Sequence, residues 1–509
     1  MLNRFLLLCA CALLLSSVSA QEKRDYNWLL GYTPNDSSLL FGGTKIDFNV
    51  SPPSITFFKM AFSFTAIAML SDKDGQLQFY TNACAVANRN DKKMPNGDEI
   101  NIGFEYNSWC KMADLGYPLH QGVLALPYPG SDHLCIIIHQ GYAGNSNQTN
   151  ELRYSLVDMS ADGGLGDVTL KNQLIYIHKE FASNLTAVRH GNGRDWWITA
   201  PKYHSDLYFK FLLTPQGFSG PFTQNFGHTW TLYQGLNQAC FSPDGKKYIR
   251  AAQWNSGCQI ADFDRCTGLL SKPINIPFPK DTFLSTGCAV SPNNRFLYVS
   301  ADTKIWQFDL EASDVFASRV LVGVYDGFKS PFSTQFFQCM LGPDGKIYIT
   351  APNGVNVLHV IHHPNEKGLA CNLEQHGIKL FTYHAFSKPN FPHLRLFDLP
   401  DSPCDTLGIN GGSVSVSVPV ELPLPSRLRV LPNPAESGEP IRLEAGDLFG
   451  SSDRLFIYSA AGQCMGEERL PMGQSYIELE SGTLPPGVYW AVLRRGNGAV
   501  QRGQMVVMR

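Results

Sequence analysis

The sequence predicts an all-β chain: a β-propeller of seven blades, with six as the alternative, followed by a small immunoglobulin-like β-sandwich. Three observations predict it. Turn formers are abundant, 45 Gly and 32 Pro among 509 residues. A hairpin signature recurs about every fifty residues, and the last eighty or so change to short alternating strands with a different basic composition. The remaining composition excludes other classes. Hydrophobic residues make up 44%, enough for a core, and a net charge of -3 leaves no basic footprint for nucleic acid.

Residues 1–20 read as a secretory signal peptide. Arg4 precedes an apolar run from Phe5 to Leu15, too short to span a bilayer as a stable helix, and Val18-Ser19-Ala20 offers the peptidase small residues before Gln21. No later stretch has the length and apolar character of a transmembrane helix, so the mature chain is expected outside the cytosol without a spanning segment. Export sets the cysteine chemistry. Removing Cys9 and Cys11 from the 13 cysteines leaves 11, an odd number. Local spacing pairs Cys258 with Cys266, and order along the chain pairs Cys84 with Cys110 and Cys371 with Cys404. Cys288 and Cys339 read as small buried apolar residues on strands.

The propeller is assigned to residues 21–405 on its repeat. Three copies align closely: Cys240-Phe-Ser-Pro-Asp-Gly-Lys-Lys-Tyr-Ile, Cys288-Ala-Val-Ser-Pro-Asn-Asn-Arg-Phe-Leu-Tyr-Val and Cys339-Met-Leu-Gly-Pro-Asp-Gly-Lys-Ile-Tyr-Ile. In each, a strand meets a turn in which Pro presets φ, Asp or Asn caps, and Gly or Asn takes a positive φ. Weaker copies place the turn residues at 75, 130, 193, 245, 294 and 345, spaced by 55, 63, 52, 49 and 51. That period is one four-stranded blade. Third strands follow at Leu152–Asp158, Leu207–Leu213, Ile260–Asp264 and Ile305–Leu310, with Asp158, Asp264 and Asp309 as turn formers at or near their ends. Six blades lie between about 55 and 376. The orphan segments Asn27 to Phe48 and Leu380 to Leu399 are expected to combine into a seventh, closing the ring by pairing the two chain ends.

Residues 406–426, with Gly411-Gly-Ser-Val-Ser-Val-Ser-Val and Pro419, Pro423 and Pro425, read as a linker. From Arg427 onward all nine basic residues are arginine, and six short strands indicate a small sandwich over 427–509. Here the motifs Leu431-Pro-Asn-Pro-Ala, Leu455-Phe-Ile-Tyr-Ser-Ala-Ala-Gly, Leu484-Pro-Pro-Gly-Val-Tyr-Trp and the ending Gln504-Met-Val-Val-Met-Arg resemble the type A C-terminal sorting domain of type IX secretion cargo. The resemblance implies recognition by the outer-membrane machinery, with Pro432, Asn433, Pro434, Gly462, Leu484, Gly487 and Tyr489 as motif residues, and a destination on the cell surface or beyond it. Cys464 departs from the pattern, standing where a Lys-x-Val type segment is common. Asn27-Trp28 with Phe41 and Phe48, Met94-Pro-Asn-Gly, Leu152-Arg-Tyr-Ser-Leu-Val-Asp-Met, Gly163-Gly-Leu-Gly-Asp-Val-Thr-Leu-Lys-Asn and Pro389-Asn-Phe-Pro resemble the surface-exported, WD-repeat or YVTN-like propellers of the same systems, associated with gliding motility and adhesion. That implies a surface binding, adhesion or scaffold module.

Catalytic motifs do not emerge. There is no Gly-x-Ser-x-Gly elbow, phosphate-binding loop or zinc-ligand spacing. The cluster His359, His362 and His363 starts on a third strand, away from a channel; His190 reads as a turn residue, and Asp72 with Asp74 as a solvated turn. The chain is therefore expected to be no enzyme and to carry no cofactor or metal. Trp197, Trp230 and Trp254 are the candidates for stacking on a sugar, since an aromatic face packs on the C–H side of a pyranose. The expected partner is a glycan or surface protein, not nucleic acid. The alternative is an extracellular polysaccharide hydrolase or lyase with paired carboxylates in the central pocket.

Overall fold

The computed structural model describes residues 22–34, 40–142, 149–178, 180–230, 237–252, 257–277, 286–384, 386, 388–409, 428–445, 448–459, 463–496 and 500–508. The expected signal peptide, Trp254, Gly462 and most of the proposed linker lie outside these. The chain divides into two compact units, 1–418 and 419–509. No helix among the described residues is long and apolar enough to cross a membrane.

The first unit is a succession of seven antiparallel sheets among the described residues. The first (Asn27–Tyr32, Gly42–Asp47, Ser54–Phe58) and second (Ala68–Ser71, Leu77–Thr81, Val86–Asn88) have three strands. Four strands make the third (Val123–Pro127, Leu134–Tyr142, Thr149–Asp158, Asp167–Ile177) and fourth (Thr186–Arg189, Trp196–Pro201, Leu207–Thr214, Gly217–Asn225). The fifth (Gln238–Phe241, Lys247–Ala252, Gly257–Phe263, Leu270–Ile276), sixth (Thr286–Val290, Phe296–Ala301, Lys304–Asp309, Val320–Val324) and seventh (Cys339–Leu341, Ile347–Ile349, Val355–Ile361, Leu373–His384) follow the same plan.

The expected turn chemistry is present. Gly75, Gly130, Gly193, Gly245, Asn294 and Gly345 all have positive φ, between 63° and 92°. The capping oxygens of Asp244, Asn293 and Asp344 accept from the amides of Lys246, Arg295 and Lys346 at 3.0, 3.2 and 3.3 Å. Asp158, Asp264 and Asp309 likewise accept from Ser160, Cys266 and Glu311, which is why aspartate ends these strands.

Neighbouring sheets bury their faces against each other around a complete circuit, as a propeller requires. Leu29 packs with Met69 and Tyr80 of the second sheet. Asn96 donates to the Val168 carbonyl across to the third, and Tyr176 lies 5.5 Å from Phe209 of the fourth. Val188 and Trp197 pack with Tyr248 and Phe263, then Ile249 and Ile260 with Val290 and Val299, then Tyr298 and Ile305 with Ile347 and Ile349. Tyr348 and Val360 of the seventh close on Trp28 and Ile46 of the first. Each large side chain buried this way contributes about 1.5–3 kcal/mol.

How the ends meet corrects the expectation. The first sheet is made wholly of residues 27–58, and Leu380 to His384 finish the outer strand of the seventh sheet. Of the remainder, residue 386 and residues 388–399 form no ladder; Pro389 and Pro392 have no N–H to donate to one. Phe391 packs instead against both apolar clusters that flank the first sheet.

Among the described residues two disulfides are present, Cys84–Cys110, as expected, and Cys266–Cys404. The pairings Cys258 with Cys266 and Cys371 with Cys404 are corrected. Cys258 sits within a fifth-sheet strand facing the apolar interface with the sixth, whereas Cys266 lies in the turn beyond, where the chain end arrives. Cys371 is buried at the interface of the sixth and seventh sheets. Cys288 and Cys339 are fully buried on strands, as expected.

The second unit has two antiparallel sheets, Arg429–Leu431, Pro440–Glu444 and Tyr476–Glu480 in one, and Cys464–Arg469, Arg454–Ser459, Gly487–Arg494 and Val500–Val507 in the other. They share a core of Ile441, Leu443, Leu455, Ile457, Ala491, Leu493 and Met505. The strand Cys464–Arg469 was not among the six expected, because its sequence is mostly polar and lacks alternation. Asn433 spans back to the last strand, donating to the Gln504 carbonyl and accepting from the Val506 amide, both at 2.8 Å. Tyr489 donates its hydroxyl to the Pro485 carbonyl at 2.6 Å. Leu484 packs on the core.

Candidate functional site

The axis of the ring is where an enzymatic propeller would hold its pocket. Here the chain's own residues 388–393 lie against the inner strands, and residues 395–399 continue from them over the turns of the fourth and fifth sheets. Asn390 donates to the carbonyls of Val123 and Leu185 at 2.9 and 3.0 Å, accepts from Gln121 at 3.2 Å, and gives its amide to Ile67 at 3.1 Å. His393 bonds the Phe241 carbonyl at 3.0 Å, and Arg395 pairs with Asp25 at 2.8 Å. The amide of Leu399 reaches the Gly191 carbonyl at 2.7 Å. Two glutamines stitch across the ring above. Gln121 of the segment before the third sheet bonds both backbone groups of Ala239, and Gln238 accepts from the amides of Cys288 and Cys339.

What remains is a cavity of about 40 Å³ bounded by Gln121, Gln238, Cys240, Cys288, Cys339 and Lys388 among others. That is room for a few water molecules. Lys388 is buried, its ammonium donating to the Pro389 carbonyl at 3.3 Å, and burial lowers its pKa to about 8. Burial lowers His393 to about 4. Asp25 is raised because burial outweighs the Arg395 charge beside it. Among the described residues Asp25 is the one carboxylate on the cavity wall, whereas two-carboxylate glycoside cleavage needs a facing pair.

A second feature lies where the seventh sheet meets the first. Phe57, Phe332 and Phe381 are 52%, 59% and 56% exposed, unusual for phenylalanine on a folded surface. Tyr32 and Phe41 meet edge-on at 5.2 Å, and Phe41 and Tyr383 at 5.7 Å. Phe381 and Tyr383 share the outward side of their strand, since residues two apart point the same way. Two glycines hold the surface down. A β-carbon at Gly42, with φ +111°, would meet the Phe57 ring at 3.0 Å, and one at Gly354 would meet the Tyr32 hydroxyl at 2.7 Å and Phe332 at 3.8 Å. Burial and the neighbouring Tyr383 raise the Tyr32 hydroxyl's pKa, keeping it a neutral donor. The result is a band of six aromatic rings interleaved with two phenolic hydroxyls.

No protein-family model matches this chain, and no curated protein matches it either. Among solved structures it is similar to a candidate 6-phosphogluconolactonase from Bacteroides fragilis, with 12% identity, TM-score 0.42, and coverage of 72% of this chain and 98% of that one. It is also similar to the periplasmic gluconolactonase of Pseudomonas aeruginosa, at 13% identity and TM-score 0.37, covering 71% and 97% of the two chains. A third is the Dos1 propeller, at 11% and 0.35, covering 65% and 90%. At these identities the likeness concerns the fold alone. It nevertheless corrects the expectation that the chain is no enzyme: two of these three propellers carry enzyme names, so a search for familiar motifs is no ground for excluding catalysis.

The tryptophan candidates sit elsewhere than expected. Trp197 is buried between the fourth and fifth sheets and donates its indole N–H to the Arg265 carbonyl at 2.9 Å. Trp230 is fully buried beneath the Arg250 guanidinium at 4.5 Å. Neither offers a face to a ligand. His190 takes the turn role expected of it, accepting from the Asn192 amide at 3.1 Å. His359 is buried, bonding the Thr334 carbonyl and accepting from the His376 amide, which leaves both ring nitrogens engaged within the fold. The aromatic band escaped sequence reading because its members come from four separated stretches. The available signal was the outward phase of Phe381 and Tyr383 in an alternating strand.

Proposed function

We propose that this chain is an exported seven-bladed propeller that binds a glycan through the aromatic band formed by Tyr32, Phe41, Phe57, Phe332, Phe381 and Tyr383. The exposure of Phe57, Phe332 and Phe381 carries this reading. Exposed ring faces beside tyrosine hydroxyls suit a ligand with apolar C–H faces and many hydroxyl groups. A rigid ring supports the band, so binding orders little of the chain. The seven sheets and their complete circuit support the blade number. In the test, polysaccharide fragments are titrated into the full chain by calorimetry, and Phe57→Ala with Phe381→Ala is expected to weaken binding at least tenfold without changing thermal stability. Equal binding by that double variant, or no binding by any fragment, contradicts the reading.

The second unit, an immunoglobulin-like sandwich in this reading, serves as the type IX sorting signal. Asn433 ties its segment to the last strand, and Tyr489 anchors the turn that leads into its own strand. The disulfides suit an extracellular protein. Deleting 427–509 is expected to retain the protein in the periplasm, followed by surface labelling of cells. Efficient display of the truncated chain contradicts the sorting role.

A further inference from the structure

The axial cavity holds a group that neither the ring nor the aromatic band uses. Cys240 and Cys288, the first residue of the aligned repeat in the fifth and sixth sheets, place their sulfurs 3.6 Å apart on neighbouring inner strands. Both line the cavity, together with Cys339 and Lys388. Cys288 is fully buried, whereas Cys240 is half-buried. Lys388 has three N–H donors and, among the described residues, one acceptor, the Pro389 carbonyl at 3.3 Å, and its electrostatic neighbours are Cys240, Cys288 and Cys339, so its charge is available to a neighbouring thiolate.

We propose that Cys240 and Cys288 form an oxidisable dithiol, a modification site for hydrogen peroxide that links the neighbouring inner strands of the fifth and sixth sheets by a disulfide. The cavity accommodates a small oxidant. About 40 Å³ is room for a molecule the size of peroxide beside the two sulfurs. The Cys240 thiolate, held beside the Lys388 ammonium, attacks one peroxide oxygen; the O–O bond breaks, and the departing hydroxide takes a proton from Lys388 to leave as water. The Cys288 thiol then attacks the Cys240 sulfenic sulfur, the S–O bond breaks, and hydroxide leaves with the Cys288 proton as a second water while Lys388 regains the proton first lost from Cys240. Two thiols and one peroxide give one disulfide and two waters, sulfur being oxidised and peroxide reduced. The sulfurs must close from 3.6 Å to roughly 2 Å.

The experiment uses the full chain carrying Cys464→Ser, which removes the exposed free thiol. After millimolar peroxide, thiol titration under denaturing conditions and non-reducing peptide mapping are expected to show the loss of two thiols per chain and one new cross-linked peptide joining Cys240 to Cys288. In the Cys288→Ala variant, Cys240 is expected to stop at the sulfenic or sulfinic acid. Lys388→Met, which replaces a buried charge by an apolar chain of similar length, is expected to slow thiol loss at least tenfold. Unchanged thiol content, over-oxidation of Cys240 with Cys288 still free in the otherwise unaltered axis, or an unchanged rate in Lys388→Met overturns the proposal.

Discussion

Asn390→Ala is expected to lower the unfolding free energy by about 3–5 kcal/mol, far more than its size suggests. Its side chain makes three buried hydrogen bonds, to the Val123 and Leu185 carbonyls and from Gln121. Alanine leaves two carbonyl oxygens and one amide N–H without that partner in a place with room for only a few waters, at about 1–3 kcal/mol for each orphan. Asn390→Asp is expected to be worse, since a carboxylate would face those same carbonyls. The exposed Asn90→Ala serves as control and should change stability by less than about 0.5 kcal/mol. Seven of the eight tryptophans lie in the first unit, so indole fluorescence in urea reports its unfolding. The midpoint should fall with an unchanged slope.

The first unit is also expected to lose stability steeply between about pH 6.5 and pH 4. His139, His359 and His384 are fully buried, and burial first of all lowers their pKa values to about 3, 4 and 4. Arg153 adds to the shift of His139, while the Thr334 and Val357 carbonyls partly oppose it at His359 and His384. The unfolded chain takes these protons near pH 6.5. Below that pH it binds more protons than the folded chain, so stability falls as pH falls, and the full contribution is present only above it. Each histidine is worth about 3 kcal/mol and the three about 10 kcal/mol, comparable with the whole stability of an ordinary domain. Urea midpoints measured from pH 7.5 to 4 should therefore drop continuously below about pH 6.5, with net proton uptake on unfolding. A flat profile down to pH 4.5 contradicts this.

The propeller was legible because its information is local. Pro-Asp-Gly dictates a turn wherever it occurs, and Gly245, Asn294 and Gly345 adopt the φ that their types permit. The axis was not legible, because the contacts that fix Asn390 join residues more than two hundred positions apart. Pro389-Asn-Phe-Pro is visible as a motif, yet nothing near it says that Asn390 will bond Val123 and Leu185. The same holds for the disulfides. Cys258 and Cys266 are near in sequence, but strand phase turns Cys258 into an apolar interface while the chain end brings Cys404 to Cys266. Trp197 and Trp230 misled because a large aromatic on a propeller strand is first of all a packing residue. The aromatic band exists only once the seventh sheet stands beside the first.

The aromatic band as the binding surface is tested most directly by amide hydrogen exchange of the full chain with and without a saturating polysaccharide fragment. Slowed exchange in peptides covering 41–47, 54–58 and 378–384 is the expected result, with the inner strands unchanged. Slowed exchange in 238–241, 286–290 and 388–393, with the aromatic-band peptides unaffected, would contradict it and place the ligand in the axis.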